Sequence, residues 1–173
     1  VFMFGLTATG TSTLWCDQLG LDGAARECTW VAQDAIVWLR RDGSSYGTEQ
    51  NYYVKTDVSL EMQEAMYRAL SHRSALLENV MVNAKGEIDF PDERLGENGR
   101  GVLDRRQLKV RRGRRWESIC YESINTPPLD ELDGIVFAFI TRRNTIMPFA
   151  QRLTPAQGVM AYLWGESTHS FAT

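Results

Sequence analysis

The sequence predicts an α/β domain built around a mixed β-sheet, and three observations support this fold class. The chain opens on an apolar, aromatic run, Val1 to Phe4, which is typical of a buried strand. A turn of small residues between Gly5 and Gly10 then leads into a helix pattern over 12–21. Strand and helix patterns continue to alternate along the chain, as in proteins whose helices pack on a sheet.

Composition and length indicate one globular domain. The 173 residues are 43% hydrophobic and 24% charged, which suits a single core. The net charge of −3 provides no overall attraction to nucleic acid or to anionic membranes, and no apolar run is long enough to span a bilayer. Because the chain opens inside a core strand and stops soon after its last helix pattern, we expect residues 1–173 to be one partial domain of a longer protein.

The cysteines and histidines predict neither a disulfide framework nor a metal cluster. Cys16, Cys28 and Cys120 are odd in number and lack C-x-x-C spacing, so we expect reduced thiols in a cytoplasmic protein. His72 and His169 lie far apart in the sequence, which does not favour a shared metal ion.

The turn after the first strand has the layout of a phosphate-binding loop (P-loop). Gly5, Gly10 and Ser12 match the spacing Gly, four residues, Gly, Lys, Ser/Thr, but Thr11 occupies the lysine position. Glycines let backbone N–H groups face phosphate oxygens, and a hydroxyl residue at the helix start can ligate the accompanying metal ion. The alternative is a turn that only joins a strand to a helix. The candidate phosphate-binding residues are Thr7, Ala8, Thr9, Gly10, Thr11, Ser12 and Thr13.

Asp34 is the candidate metal ligand. It lies in the β-rich, apolar segment 28–38, and an acidic residue at the end of a buried strand after a P-loop commonly binds the catalytic metal. The alternative is an aspartate that caps a turn. In the polar segment 40–47 that follows, Asp42 and Gly43 predict a hairpin turn.

The next two patterns are a strand over 50–57 and a helix that begins near Ser59. Lys55 in this strand pattern is typical of a solvent-facing strand residue. The apolar stripe predicted for the helix consists of Met62, Ala65, Met66, Ala69 and Leu70.

Two further strands are predicted over 75–82 and 87–90, joined by a glycine turn. The polar segment 95–100 follows. There, Arg100 either clamps an anion with two hydrogen bonds or pairs with Glu97 at the surface.

Residues 105–115 form a basic run beside Trp116. Such a run forms either a nucleic-acid patch or a solvated loop or hairpin. The negative net charge favours the second, so we expect no nucleic-acid partner. Beyond it, 134–141 predicts a central strand that is hydrophobic on both faces, and Thr154 with Pro155 predicts the start of the last helix.

Several spaced motifs together resemble the ATP-dependent phosphoenolpyruvate carboxykinases. In chain order they are FGLTATGTSTL, VAQDAIVW, YYVKT, ALLENVMV with EIDF, GENGR, FAFITRRN and RLTPAQ followed by GE. The resemblance extends over nearly the whole chain and is weakest in the basic run. It implies the α/β, P-loop-containing mixed-sheet fold of that family. It also implies that the chain is the middle of an enzyme whose substrate domain, two further metal ligands, adenine-binding segment and lid lie elsewhere.

The resemblance implies an activity and its cofactors. Family members convert oxaloacetate and ATP into phosphoenolpyruvate, CO2 and ADP, a carboxy-lyase reaction of gluconeogenesis in the cytoplasm. The reaction proceeds by decarboxylation to an enolate and then phosphoryl transfer, with ATP and Mn²⁺ or Mg²⁺ as cofactors. Thr7 corresponds to a P-loop hydroxyl close to the substrate. Ser12 and Thr13 correspond to the hydroxyls that meet the nucleotide metal and phosphates.

Three further residues receive roles from the same resemblance. Asp34 corresponds to the aspartate that ligates manganese. Lys55 resembles the lysine that reaches the triphosphate, and Arg100 resembles the arginine that bridges the substrate and the transferred phosphate. These roles suit phosphoryl transfer, which depends on positioning and on neutralisation of charge. We expect Asp34, Ser12 and Arg100 to converge near the P-loop.

The sequence departs from the family's pattern in three places. Thr11 replaces the P-loop lysine, Ala8 replaces a glycine, and Ala35 with Ile36 replaces a further acidic residue. Loss of a cation aimed at the transferring phosphoryl group is expected to cost about 10²-fold or more in catalysis. We therefore expect this chain by itself to be inactive. The alternative is a non-catalytic, degenerate P-loop domain that binds phosphate weakly or has a structural or interaction role.

Overall fold

The computed structural model describes residues 1–5, 10–17, 21, 25, 27–92, 94–96, 98–140 and 150–164. In chain order the elements are β1 (Phe2–Gly5), α1 (Thr11–Asp17), β2 (Val37–Leu39), β3 (Ser45–Gly47), β4 (Tyr52–Lys55), α2 (Glu64–Leu70), β5 (Leu76–Glu78), β6 (Met81–Val82), β7 (Ile88–Asp89), β8 (Arg100–Leu103), a 3-10 turn (Arg105–Gln107), β9 (Lys109–Arg112), β10 (Arg115–Ser118), a second 3-10 turn (Leu129–Glu131), β11 (Phe137–Ile140) and α3 (Pro155–Trp164). These elements confirm the predicted mixture of helices and strands. The described strands, however, form five separate small sheets rather than the single mixed sheet that the sequence predicted.

The chain divides into two compact units. One consists of Val1–Thr11 and Gly134–Thr173, and the other of Ser12–Asp133. Among the described strands, parallel pairing of β1 with β11 occurs in the first unit and antiparallel sheets occur in the second. The grouping of all 173 residues into one partial domain stays a prediction.

In the first unit, α3 packs on aromatic side chains of the parallel pair. Phe4 of β1 lies opposite Phe139 of β11 with ring centroids 5.4 Å apart, and the Tyr162 ring of α3 meets Phe4 edge-on at 5.5 Å. Helix α3 begins at the predicted residue. The Thr154 hydroxyl accepts a hydrogen bond from the Gln157 N–H at 3.3 Å, and Gln157 Oε1 accepts one from the Thr154 N–H at 2.9 Å. This reciprocal cap satisfies two N–H groups at the helix start.

The second unit is organised around the antiparallel sheet β4–β8–β5, with β8 in the centre. Side chains alternate along β4, so that Tyr52 and Val54 are buried while Tyr53 is exposed. Gly101 of β8 lies under α2, where a Cβ atom would be 2.5 Å from Leu70 Cδ2. The buried face of α2 consists of Ala65, Met66, Ala69 and Leu70. The hydrophobic core of this unit therefore includes the packing of α2 on the sheet.

The predicted hairpin at Asp42 and Gly43 is confirmed. Strands β2 and β3 pair in antiparallel fashion, and Gly43 takes a φ of +82°, which favours glycine. Asp42 Oδ1 accepts hydrogen bonds from the N–H and the hydroxyl of Ser44, at 2.9 and 2.7 Å. This local hydrogen bonding explains why the turn could be predicted from short-range sequence alone.

Five predicted elements differ from the structure. Strand β1 is not buried throughout, since Met3 is 39% exposed. Strand β11, predicted to be central, pairs only with β1 among the described strands, and its Phe137 is 46% exposed.

Segment 28–38 is not one strand: it contains a single bridge at Val31 and then β2. The strand over 75–82 is interrupted at Asn79, whose φ of +55° ends the pairing of β5. In the helix stripe, Met62 is 71% exposed because α2 begins only at Glu64, after a turn.

The basic run forms the predicted hairpin, β9 with β10. One of its arginines is nevertheless part of the core. Arg105 is buried, its guanidinium donates a hydrogen bond to the Tyr121 carbonyl, and its Cζ lies 5.9 Å from the centroid of the Tyr52 ring. A run of basic residues can therefore include an arginine that is buried in the core. Composition alone does not distinguish such an arginine from the exposed ones. Among the described residues, no helix is long and apolar enough to cross a membrane.

Candidate functional site

The start of helix α1 is the described part of the predicted P-loop. Gly10 has a φ of +91°, a left-handed conformation that favours glycine, and α1 begins at the next residue. Thr7, Ala8 and Thr9 lie outside the described residues, so the shape of the loop itself stays a prediction. Thr11 is partly buried and brings no positive charge to the helix start.

Ser12 and Thr13 occupy the first turn of α1, and both are partly buried. The Thr13 hydroxyl accepts a hydrogen bond from Gln63 Nε2 at 3.0 Å, which connects α1 to the start of α2. A threonine hydroxyl can accept one hydrogen bond and donate another, and a phosphate oxygen is a suitable acceptor for the Thr13 proton. Ser12 precedes Trp15 by about one helical turn, and Trp15 is the residue that connects α1 to Asp34.

Asp34 lies in the loop between Val31 and β2 rather than at the end of a long strand. Burial of its carboxyl, together with the negative charge of Glu49, raises the pKa of Asp34 to about 7, against an opposing hydrogen bond from the Trp15 side chain. A carboxyl group that is costly to ionise and lies beside a second acid is a common feature of functional sites.

Gln33 holds the loop that carries Asp34. Its Oε1 accepts a hydrogen bond from the Asp34 N–H at 2.8 Å, and its Nε2 donates to the Glu49 carbonyl at 2.9 Å. Gly47 makes room for this arrangement, because a Cβ atom there would be 2.7 Å from Gln33 Nε2 and 2.7 Å from the Ile124 carbonyl oxygen. The position of Asp34 is therefore set by contacts with β3 and the residues that follow it.

A divalent cation would suit Asp34, because it would offset both the burial of the carboxylate and its repulsion from Glu49. Within the described residues, however, no group of three or more His, Cys, Asp or Glu side chains is placed to hold a metal ion. Asp34 can therefore supply one ligand, but the described part of the chain does not complete a metal site. The role of Ser12 as a second ligand stays a prediction.

Lys55 and Arg100 are neighbours on the sheet. The register of β4 and β8 places them directly opposite each other, so their side chains share one face. This face points away from the core, because Val54, which precedes Lys55, is buried on the other side. Among the described residues, neither cation has a carboxylate oxygen within 4.0 Å. Two adjacent cations repel each other, and an anionic ligand relieves that repulsion.

Sequence reasoning missed four residues that surround the predicted ones. Glu78 of β5 lies opposite Arg100 on the other side of β8, and its carboxylate accepts a hydrogen bond from the Tyr53 hydroxyl. Trp15 and Glu49 are the neighbours of Asp34. The single available signal was the helical spacing of Trp15 from the P-loop hydroxyls, because the other three residues become neighbours only through strand pairing and loop packing.

The described site residues thus form two groups on opposite sides of β4. Asp34 lies on the core side, where its charge also affects Tyr52, and the Tyr52 ring packs against Trp15 at 5.3 Å. Lys55 and Arg100 lie on the outer side. The structure brings Lys55 and Arg100 together and links Asp34 to α1. The convergence of all of them around one phosphate stays a prediction.

Comparison with known proteins identifies the family of the chain. The sequence model of the ATP-dependent phosphoenolpyruvate carboxykinase family matches residues 1–173. A relative from Aeropyrum pernix, named phosphoenolpyruvate carboxykinase (ATP), is 34% identical over 99% of this chain and 32% of its own length. A relative of the same name from Christiangramia forsetii is 24% identical over 94% of this chain and 26% of its own length.

This chain therefore spans about a third or less of the length of these relatives. The family match nevertheless covers every residue of the chain. The chain belongs to the phosphoenolpyruvate carboxykinase family of the ATP-dependent type.

Proposed function

We propose that this chain is the phosphate-handling segment of an ATP-dependent phosphoenolpyruvate carboxykinase. In that role it binds the ATP triphosphate and the phosphorylated or carboxylated end of the substrate, while oxaloacetate and ATP become phosphoenolpyruvate, CO2 and ADP. The residues that surround the chain in a complete enzyme supply the remaining contacts. The cytoplasmic location suggested by the cysteines stays a prediction.

One observation carries the proposal: Lys55 and Arg100 lie directly opposite each other on the outer face of the sheet. An enolate and a transferring phosphoryl group both carry negative charge, and two fixed cations stabilise that charge without reorganisation during the reaction. Arg100 can bind an oxyanion through two parallel N–H groups, whereas Lys55 acts as a point charge. The pair therefore suits a ligand with several oxygen atoms, such as a phosphate.

Asp34 is the residue of this chain that would hold Mn²⁺ or Mg²⁺. Such an ion, when bound, neutralises negative charge on the phosphates and on the substrate oxygens. The chain's own contribution is to present a carboxylate from a loop fixed by Gln33, next to helix α1. The raised pKa of Asp34 means that deprotonation accompanies ion binding below about pH 7.

Thr11 supports a second candidate function, a P-loop domain that binds phosphate without turnover. A lysine at this position would add a cation at the start of α1, and Thr11 adds only a hydroxyl. Backbone N–H groups from Ala8 to Thr13 should still offer donors to a phosphate, because this depends on backbone shape rather than on a lysine. We expect ATP to bind the isolated chain only in the millimolar range, about −4 kcal/mol.

The cation pair is tested by titrating inorganic pyrophosphate into the chain at low ionic strength and following backbone amide shifts by NMR. Lys55→Gln and Arg100→Gln should each weaken binding about tenfold or more, because each removes a charge-assisted contact worth about 1.5–3 kcal/mol. Lys85→Gln is the matched control, since Lys85 is an exposed lysine in the turn between β6 and β7. Equal affinities for all variants would refute this assignment of the phosphate site.

The P-loop is tested with Thr11→Lys in the same titration. The added cation should tighten pyrophosphate or triphosphate binding by roughly 1–3 kcal/mol. Ala84→Lys adds the same charge at an exposed position in the turn between β6 and β7 and should have little effect. Thr11→Lys should not restore carboxykinase turnover to the isolated chain. Micromolar binding by the unmodified chain, or no gain from Thr11→Lys, would mean that the phosphate binds elsewhere.

A further inference from the structure

Tyr53 and Glu78 share the outer face of the central sheet with Lys55 and Arg100. Tyr53 lies two residues before Lys55 in β4, Arg100 lies in β8, and Glu78 lies in β5 directly opposite Arg100. Residues i and i+2 of a strand, and residues directly opposite across a ladder, have side chains on the same face. A carboxylate, a phenol and a guanidinium are therefore neighbours in this part of the sheet.

The hydrogen bonding of these groups is not what their register alone would predict. Glu78 faces Arg100, yet no salt bridge joins them among the described residues. The Glu78 carboxylate instead accepts a hydrogen bond from the Tyr53 hydroxyl. The bond to Glu78 raises the pKa of Tyr53, and the neighbouring Arg100 guanidinium acts in the opposite direction. The phenol thus has the carboxylate and the guanidinium as neighbours.

We propose that Tyr53 is a positioning residue for Arg100: by binding Glu78 it keeps this carboxylate from pairing directly with the guanidinium, which stays available to an anionic ligand. A phenol donates one hydrogen bond and accepts others, so its proton goes to Glu78 while its oxygen can still face a guanidinium N–H. The inference rests on the proposed function, in which Arg100 binds a phosphate or carboxylate oxygen.

Removal of the Tyr53 hydroxyl releases the Glu78 carboxylate. Directly opposite residues have Cβ atoms about 4.5–5.5 Å apart, which is within reach of an ion pair between Glu78 and Arg100. A ligand would then have to displace Glu78 before it binds. For a pair at an exposed position this competition weakens binding by a factor of about two to five.

The experiment is a double-mutant cycle with inorganic pyrophosphate as the probe, read by NMR titration of the complete chain at low ionic strength. Tyr53→Phe should weaken binding about two- to fivefold. Glu78→Gln should strengthen binding slightly, since it removes a negative charge near the ligand. When Tyr53→Phe and Glu78→Gln are combined, the loss should disappear, because the competing carboxylate is gone. The effect of Glu78→Gln must therefore be larger in the Tyr53→Phe background than in the unmodified chain.

Tyr46→Phe is the matched control, since Tyr46 is another exposed strand tyrosine beside an arginine, with Arg40 Cζ 4.3 Å from its ring centroid. It should not change the affinity. Arg100→Gln distinguishes failure of the proposed function of Arg100 from failure of the Tyr53 positioning role. If it leaves binding unchanged, the proposed function of Arg100 is wrong. If it weakens binding while Tyr53→Phe does not, or if the Tyr53 and Glu78 effects simply add, the positioning role of Tyr53 is wrong.

Discussion

Asp34→Asn should stabilise the chain at neutral and alkaline pH in the absence of metal ions. The pKa of Asp34 rises from its usual 3.8 to about 7, chiefly through burial. This interval spans roughly three pH units, and at ~1.36 kcal/mol per unit it amounts to ~4 kcal/mol. Asparagine keeps an oxygen that can accept the hydrogen bond from Trp15, and it removes the charge that burial and Glu49 make unfavourable.

The sign follows from the protons bound in each state. Between about pH 4 and pH 7 the unfolded chain has an ionised Asp34 while the folded chain keeps this carboxyl protonated. The folded state therefore binds more protons, and its stability falls as pH rises through this window. Asparagine does not titrate. The advantage of Asp34→Asn should accordingly be small near pH 4, grow through the window and reach its maximum of about 2–4 kcal/mol above pH 7, allowing for relaxation of the loop.

The assay is urea denaturation followed by far-UV circular dichroism at pH 5 and pH 8, with EDTA present to remove divalent cations. Asp130→Asn, at an exposed aspartate in the second 3-10 turn, is the matched control and should change stability by less than about 0.5 kcal/mol at either pH. If Asp34→Asn is no more stable than the unmodified chain at pH 8, ionised Asp34 does not destabilise the folded state. An equal gain at both pH values would show that the effect is not ionisation.

Two core substitutions test the packing of the central sheet by the same urea assay. Gly101→Ala should destabilise the chain by about 1–3 kcal/mol, because its Cβ would be 2.5 Å from Leu70 Cδ2. Gly134→Ala is the control and should be close to neutral, because a Cβ at Gly134 meets no atom within 4 Å. Equal effects of the two substitutions would contradict this packing. Tyr52→Phe should lower the free energy of unfolding by about 0.5–1.5 kcal/mol, because the buried Tyr52 hydroxyl donates a hydrogen bond to the Val31 carbonyl at 2.9 Å. A stability equal to that of the unmodified chain would show that this bond contributes nothing.

Several parts of the fold follow from the sequence because they depend on residues close to one another in the chain. The turn at Gly43 needs a left-handed residue, and Asp42 supplies the local acceptor for Ser44. The start of α3 needs the reciprocal bonds between Thr154 and Gln157, three residues apart. Helix α1 begins at Thr11, immediately after Gly10, whose φ is positive. Each feature is governed by backbone conformation and hydrogen bonds within one turn of chain.

Other features required the tertiary structure, because they depend on register and burial between distant residues. Lys55 and Arg100 lie 45 positions apart in the numbering, and only the pairing of β4 with β8 makes them neighbours. Arg105 belongs to a basic run, yet packing against the Tyr52 ring buries it.

Asp34 shows the same division within a single residue. The sequence alone marked it as a candidate metal ligand by its position after a P-loop. Its proton affinity, in contrast, was decided by burial beside Trp15 and Glu49. Desolvation depends on what surrounds a carboxyl in three dimensions. The sequence by itself could therefore only nominate Asp34 as a ligand, whereas the tertiary structure decided its neighbours and raised its pKa.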